Sequence, residues 1–124
     1  MKLRYFKIKE FRCPCCAVAD MEALFLEKID EARHIAQIPF LVTSVWRCEK
    51  KQEELRRSGY QTSNGKSPHQ KGVAADIRVR NDKERYAIIN AWTAVGCNRF
   101  GIAKNFVHLD VDFDRRPYVT WMYS

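Results

Sequence analysis

The chain has 124 residues, 46% hydrophobic and 30% charged, which predicts one globular domain over residues 1–124 with a single core. The absence of any run of about 18 apolar residues excludes a membrane span. The N-terminus alternates charged with apolar residues, unlike a signal peptide, so cytoplasmic synthesis is expected. The net charge of +7 predicts attraction to polyanions such as nucleic acid, anionic lipid or an acidic cell wall, without choosing among them.

The first helix is predicted between Asp20, its expected N-cap, and Pro39, which marks its end. Apolar residues recur there at the three-and-four spacing of one helix face. The face expected to be buried comprises Met21, Leu24, Phe25, Ile29, Ala32, Ile35 and Ala36.

The rest of the chain predicts a small, mainly antiparallel sheet with helices packed on it, which is an α+β fold. A second core helix is expected from Asp82, as its N-cap, to Gly96. The other predicted elements, in chain order, are a strand at 40–45, a polar surface helix at 49–57, a long loop at 58–71, a buried strand at 73–79, strands at 99–103 and 106–112, and an edge strand at 118–123.

Two of the three histidines lie beside carboxylates. Alternate residues of a strand share a face, so His108, Asp110 and Asp112 are expected on one face of the strand at 106–112. A bland alternative is a half-exposed strand whose polar residues face water. The third histidine, His34, falls on the charged side of the first helix and is predicted to be a surface residue.

His69 and Asp76 flank a segment in which Gly72 allows a sharp turn, so the loop can bring His69 back to Asp76. Taken alone, this pair also fits a loop histidine and a strand-end aspartate without a joint role. Together with His108, the pair makes a three-ligand set suited to catalytic zinc, which keeps its fourth position for water. Hydrolysis at such a site needs a carboxylate base, and Asp110 is the first candidate.

These residues resemble a known family. The motif S-x-H-x-x-G-x-A-x-D over residues 67–76, followed by H-x-D at 108–110, looks like that of the LAS-type zinc peptidases. The family includes D-alanyl-D-alanine carboxypeptidases and phage L-alanyl-D-glutamate endolysins, and shares its fold with the hedgehog signalling domain. The segment T-S-V-W-R-C at 43–48 resembles a strand of the family that ends in arginine, so the resemblance spans residues 40–121.

The resemblance implies that His69, Asp76 and His108 bind Zn²⁺. It further implies that Arg47 binds a substrate carboxylate or the oxyanion of the transition state, for which a guanidinium is suited. Ser67 would hydrogen-bond the substrate or a neighbouring residue of the site.

The sequence departs from this pattern at Asn105, where several family members carry the catalytic Glu or Asp three residues before the last histidine. A subset of the family has the His-x-Asp arrangement instead. Asp110 is therefore predicted to be the catalytic base, with Asp112 in reserve.

The chain has five cysteines, and an odd number excludes a framework in which every cysteine is paired within the chain. Together with the lack of a predicted signal peptide, this favours a reducing compartment. The cluster of Cys13, Cys15 and Cys16 could form a structural metal site, but it lacks the usual C-x-x-C spacing, so buried or reduced thiols are favoured.

The leading hypothesis is a zinc metallopeptidase that hydrolyses peptidoglycan stem peptides as a carboxypeptidase or endopeptidase. The protein would be a monomer that reaches the wall after release from the cytoplasm, as a phage lysis enzyme does. One alternative is a non-catalytic zinc-containing binding module of the same fold. The other is a basic nucleic-acid-binding domain, which is disfavoured because the basic residues are scattered and no nucleic-acid motif is present, so no nucleic-acid partner is expected.

Overall fold

A computed structural model describes residues 3–12, 21–44, 53 and 71–123. Within these ranges the chain forms a 3₁₀ turn, two helices and one five-stranded sheet, which confirms the α+β prediction. The elements are the 3₁₀ turn Ile8–Phe11, α1 Ala23–Ala36, β1 Val42–Ser44, β2 Ala74–Arg78, α2 Asp82–Ala94, β3 Arg99–Ile102, β4 Phe106–Asp110 and β5 Val119–Met122.

The sheet has the strand order β1-β2-β4-β3-β5. Every neighbouring pair is antiparallel except β3 and β5, which are parallel. The predicted edge strand is therefore confirmed as β5, although it begins after Tyr118, whose φ of 57° breaks the extended backbone. Strand β4 likewise ends at Asp110, two residues earlier than predicted.

The hydrophobic core lies between the two helices and one face of the sheet. Phe25 of α1 and Trp92 of α2 meet there with ring centroids 5.7 Å apart, and both are fully buried. The sheet contributes small and branched side chains at alternate positions of the two central strands, as the period of two requires. These are Ala75, Ile77, Val107 and Leu109.

The helix boundaries differ from the sequence predictions in two places. The N-cap of α2 is Asn81 rather than Asp82, and the Asn81 side chain accepts a 2.9 Å hydrogen bond from the backbone N–H of Glu84. Asp20, the predicted N-cap of α1, lies outside the described residues. In the structure α1 begins at Ala23, and Glu22 is its N-cap.

The predicted buried face of α1 is partly wrong. Leu24 and Ile35 are each 41% exposed, whereas Leu26 is buried. The buried stripe is shifted because α1 also packs against the N-terminal segment, whose backbone N–H groups at Arg4 and Tyr5 donate to the buried Asp30 carboxylate. A tertiary contact of this kind leaves no mark in the periodicity of the helix.

Two predicted elements lie almost entirely outside the described residues. The helix at 49–57 and the loop at 58–71 lie outside the described ranges except at Glu53, which is helical, and Lys71. Neither of the two described helices is long and apolar enough to cross a membrane.

Gly101 of β3 lies where the sheet face opposite the helices is most crowded. A Cβ atom at this position would lie 2.6 Å from Cε2 of Tyr123 and would also clash with the indole of Trp121. Since real Cβ atoms essentially never show such contacts, only glycine lets the rings of Trp121 and Tyr123 pack over β3 as they do.

We therefore expect Gly101→Ala to lower the free energy of unfolding by about 1–3 kcal/mol, because the rings must shift to admit the methyl group. Urea unfolding followed by tryptophan fluorescence measures this. Thr120→Ala, at an exposed position of the same strand pair, is the control and should change the free energy of unfolding little. Equal stability of the Gly101 variant and the wild type would contradict the crowded packing.

Candidate metal centre

The polar residues singled out in the sequence lie on the sheet face opposite the helices. Asp76 of β2 and His108 of β4 are cross-strand partners, and Gly101 of β3 faces His108 from the other side. In the same register Asp110 pairs with Arg99. The antiparallel register thus brings residues of β3 and β4 together with those of β2, which lies about 30 residues earlier in the chain.

His108 lies between two carboxylates. Its Nδ1 atom is 2.9 Å from Oδ1 of Asp76, and its Nε2 atom is 2.7 Å from Oδ2 of Asp110. The ring is 3% exposed and Asp110 is 1% exposed. The alternative of a half-exposed strand with polar residues in water is therefore wrong for this face of β4.

Arg99 binds the carboxylate of Asp110 at the oxygen that does not contact His108. Its Nε donates to Oδ1 of Asp110 at 2.6 Å, and its Nη1 donates to the backbone carbonyl of Arg116 at 2.6 Å. The backbone N–H of Asp112 donates to the same Asp110 oxygen at 3.1 Å. Both oxygens of Asp110 are thus engaged by groups of the protein.

Two aromatic residues cover this cluster, Trp121 of β5 and Tyr123 directly after it. The ring of Trp121 has its centroid 5.4 Å from that of His108, and Arg99 lies with Cζ 5.0 Å from the centroid of a Trp121 ring. Tyr123 lies next to Trp121, with its centroid 6.4 Å from His108. These rings restrict access of water to one side of the imidazole.

Burial and charge set the proton affinities of the cluster. Burial disfavours the protonated ring of His108, but hydrogen bonds to Asp110 and Asp76 outweigh this and raise its pKa to about 9. Burial also disfavours the ionised carboxyl of Asp110, but the hydrogen bonds from His108 and Arg99 outweigh it and lower that pKa to about 2. A carboxylate of this kind binds a proton weakly near neutral pH.

The groups beside His108 are of the kind that a cation binds. A neutral imidazole carries only one N–H, so it can donate to only one of its two carboxylate neighbours. The other contact requires either a second proton on the ring or a positive ion that the ring nitrogen and the carboxylate share. When the ring is neutral, the cluster of Asp76, Asp110 and Arg99 carries a net charge of −1, which favours a cation. Imidazole nitrogen and carboxylate oxygen are both common ligands of zinc.

The structure brings together some of the predicted site residues. His108 contacts both Asp76 and Asp110, whereas Arg47, Ser67 and His69 lie outside the described residues. In the part of the chain that the structure describes, no group of three or more His, Cys, Asp or Glu side chains is arranged to hold a metal ion. The ligand roles of the three predicted residues therefore stay predictions.

Asp112 is buried but turned toward other partners. Its carboxylate accepts hydrogen bonds from Lys71 Nζ at 2.9 Å and from Arg115 Nε at 3.1 Å. The reserve role of catalytic base predicted for Asp112 remains a prediction, and these two cations occupy the oxygens that the role would need.

Two further sequence predictions concern residues outside this cluster. His34 lies on the surface, as predicted, where its Nδ1 is hydrogen-bonded to the hydroxyl of Tyr5 at 2.6 Å. The cluster of Cys13, Cys15 and Cys16 lies outside the described residues. Cys97 is a buried free thiol, and its burial raises its pKa to about 11.

Arg99 and Trp121 were not identified from the sequence. The only signal for Arg99 was a charged residue at the start of an otherwise apolar strand. Its partner Asp110 lies eleven residues later, and only the strand register reveals the contact.

A scan against protein-family models finds one that matches this chain over residues 4–110, and its description is Peptidase M15. The chain belongs to the Peptidase M15 family. Neither a search of the curated proteins nor a search of the solved structures finds a match. The M15 match confirms the resemblance to LAS-type peptidases and supports peptidase activity. It spans Asp76, His108 and Asp110, so the buried cluster lies in the part of the chain that carries the M15 pattern.

The charge of His108 generates a prediction for the metal-free protein. Its pKa in the folded state is about 9, above the ordinary 6.5, so its stabilising contribution is complete below pH 6.5 and is lost as the pH rises from there through 9. We therefore expect the free energy of unfolding of chelator-treated protein to fall over that range, as measured by urea unfolding at several pH values.

The control is His108→Gln, which should show a flatter dependence on pH over the same range because the titrating ring is gone. A wild-type curve as flat as that of the variant would contradict the raised pKa.

Proposed function

We propose that this protein is a zinc-dependent peptidase that hydrolyses peptide bonds in peptidoglycan stem peptides. The observation that carries the proposal is the buried contact between Nδ1 of His108 and Oδ1 of Asp76, in a chain of the M15 family. A basic surface, with a net charge of +7, suits an anionic cell wall.

In this proposal Asp76, His108 and His69 hold the ion. When bound, zinc would activate water and polarise the carbonyl group under attack. Arg47 and Ser67 keep the substrate-binding roles that the family resemblance implies. Cytoplasmic synthesis, followed by action on the wall after release, also belongs to the proposal.

Asp110 takes a different role from the one predicted for it. Both of its oxygens are engaged by hydrogen bonds from buried groups of the protein, which disfavours proton transfer from a water molecule to this carboxylate. A carboxylate that accepts the second N–H of a ligand histidine fixes the tautomer and the orientation of the ring. We assign Asp110 this positioning role, in place of the predicted role of general base.

The first prediction is that the purified protein contains zinc and releases fragments from purified peptidoglycan. Metal analysis measures the zinc, and mass spectrometry of the soluble products identifies the bond that is cut. A chelator should abolish the release and added zinc should restore it. Zinc without fragments would favour a non-catalytic binding module of the same fold, and a protein that binds no zinc would overturn the proposal.

The second prediction separates the two roles of Asp110. If Asp110 positions His108, Asp110→Asn should weaken zinc binding by about 10- to 100-fold, and saturating zinc should restore most of the turnover. If Asp110 is instead the base, the variant should bind zinc normally and lose hydrolysis by about 100-fold or more at any zinc concentration. Zinc titration by calorimetry and turnover on a peptidoglycan fragment measure both quantities.

Asp110→Asn leaves the buried guanidinium of Arg99 without its charged partner, which costs about 3–5 kcal/mol of stability in typical cases. The double variant Arg99→Gln/Asp110→Asn removes that unpaired charge and is the matched control. Circular dichroism verifies that each variant is folded before its zinc affinity is compared.

A further inference from the structure

A second polar feature lies next to the Asp76 and His108 pair on the same face of the sheet. It is a cavity of about 430 Å³. Charged, neutral polar and apolar residues line it: Thr43, Arg78, Val79, Arg80, Asn105 and Phe106. None of these residues belongs to the buried cluster around His108.

The register of β2 and β4 sets the position of this cavity. Arg78 and Phe106 are cross-strand partners, and Asp76 and His108 are the next partners on the same face, two residues along each strand. Two residues of a strand span about 7 Å. The cavity therefore begins about 7 Å from the proposed metal donors, which is the length of about two residues of an extended peptide.

Arg78 supplies a positive charge to the cavity that the described protein does not neutralise. Its side chain is exposed, and among the described residues no carboxylate lies within ion-pair distance of it. The second arginine of the cavity differs, because Arg80 forms a 2.6 Å ion pair with Glu84. Within the described residues, Arg78 is thus the arginine of the cavity that has no carboxylate partner.

The chemistry of the lining favours one class of ligand. A guanidinium binds a carboxylate through two parallel hydrogen bonds, and such charge-assisted pairs are stronger than neutral ones. The half-buried ring of Phe106 beside it offers an apolar surface to the carbon chain that bears the carboxylate. A peptide that carries a free carboxylate near its scissile bond matches both features.

We propose that Arg78 binds a free carboxylate of the peptide substrate and so makes the enzyme selective for acidic peptides. The inference rests on the proposed function, because it places the carboxylate relative to a bond held at Asp76 and His108. Arg78 is distinct from Arg47, which the family resemblance implicates in carboxylate or oxyanion binding. Two carboxylates of a stem peptide qualify, that of its glutamate and that of its C-terminus.

The test uses the zinc-loaded full chain and three synthetic peptides. The parent is L-Ala-γ-D-Glu-L-Lys-D-Ala-D-Ala, the second carries a carboxamide in place of the free glutamate carboxylate, and the third carries a C-terminal carboxamide. We expect the wild type to bind the parent about 10- to 100-fold more tightly than one of the two amides, which identifies the carboxylate that is recognised. Arg78→Gln should bind the parent and that amide alike.

The matched control is Lys83→Gln, which removes an exposed cation of α2 that does not line the cavity. It should keep the wild-type preference. Arg78 is exposed, so both variants should fold, and thermal unfolding verifies this. An Arg78→Gln protein that still discriminates like the wild type, or a wild type that discriminates against neither amide, would overturn the inference.

Binding by calorimetry and turnover by mass spectrometry keep this inference separate from the proposed function. If the peptides bind with the expected preference but none is cut, Arg78 is confirmed and the proposed peptidase activity on these peptides fails. If they are cut without any preference that depends on Arg78, the activity is confirmed and the inference fails.

Discussion

The contact between Asp76 and His108 is the interaction on which the arrangement of the site depends. It exists because β2 and β4 pair in a register that sets these two residues opposite each other. A shift of one residue would pair Asp76 with Val107 or Leu109, and so would turn either the polar side chains of one strand toward the core or its apolar side chains away from it. Burial of the apolar side chains and alignment of Asp76 with His108 require the same strand pairing. The hydrophobic face therefore fixes the register that the polar face needs.

The polar face is stabilised by a chain of charges rather than by apolar packing. Arg99 balances one of the two carboxylates beside His108, and the ring of Trp121 covers the arginine. An uncompensated carboxylate would be costly at this depth, so Arg99 makes the buried Asp110 tolerable. The same ion pair engages the oxygens of Asp110, which is why this residue suits the orientation of an imidazole better than proton transfer with water.

Much of the fold was predictable from local patterns. The alternation over residues 106–110 correctly separated His108 and Asp110 from Val107 and Leu109, because a strand leaves no choice about which side chains share a face. The motif around Asp76 and the H-x-D pattern led to the family that the comparison then confirmed. The exposed Leu24 and the cap at Asn81 were missed, because packing of the N-terminal segment and a side-chain hydrogen bond, respectively, decide them.

The sequence by itself determined the two described helices and the strands, the α+β class, the family and the candidate donors, since each depends on residues close together in the chain or on a motif of fixed spacing. Only the tertiary structure decided that Arg99 neutralises Asp110, that Trp121 packs on Arg99 and His108, and that Arg78 lines a cavity beside the donors. These relations join β2, β3, β4 and β5 across the sheet. They follow from strand order and register, which arise from the packing of the whole core and not from any one segment.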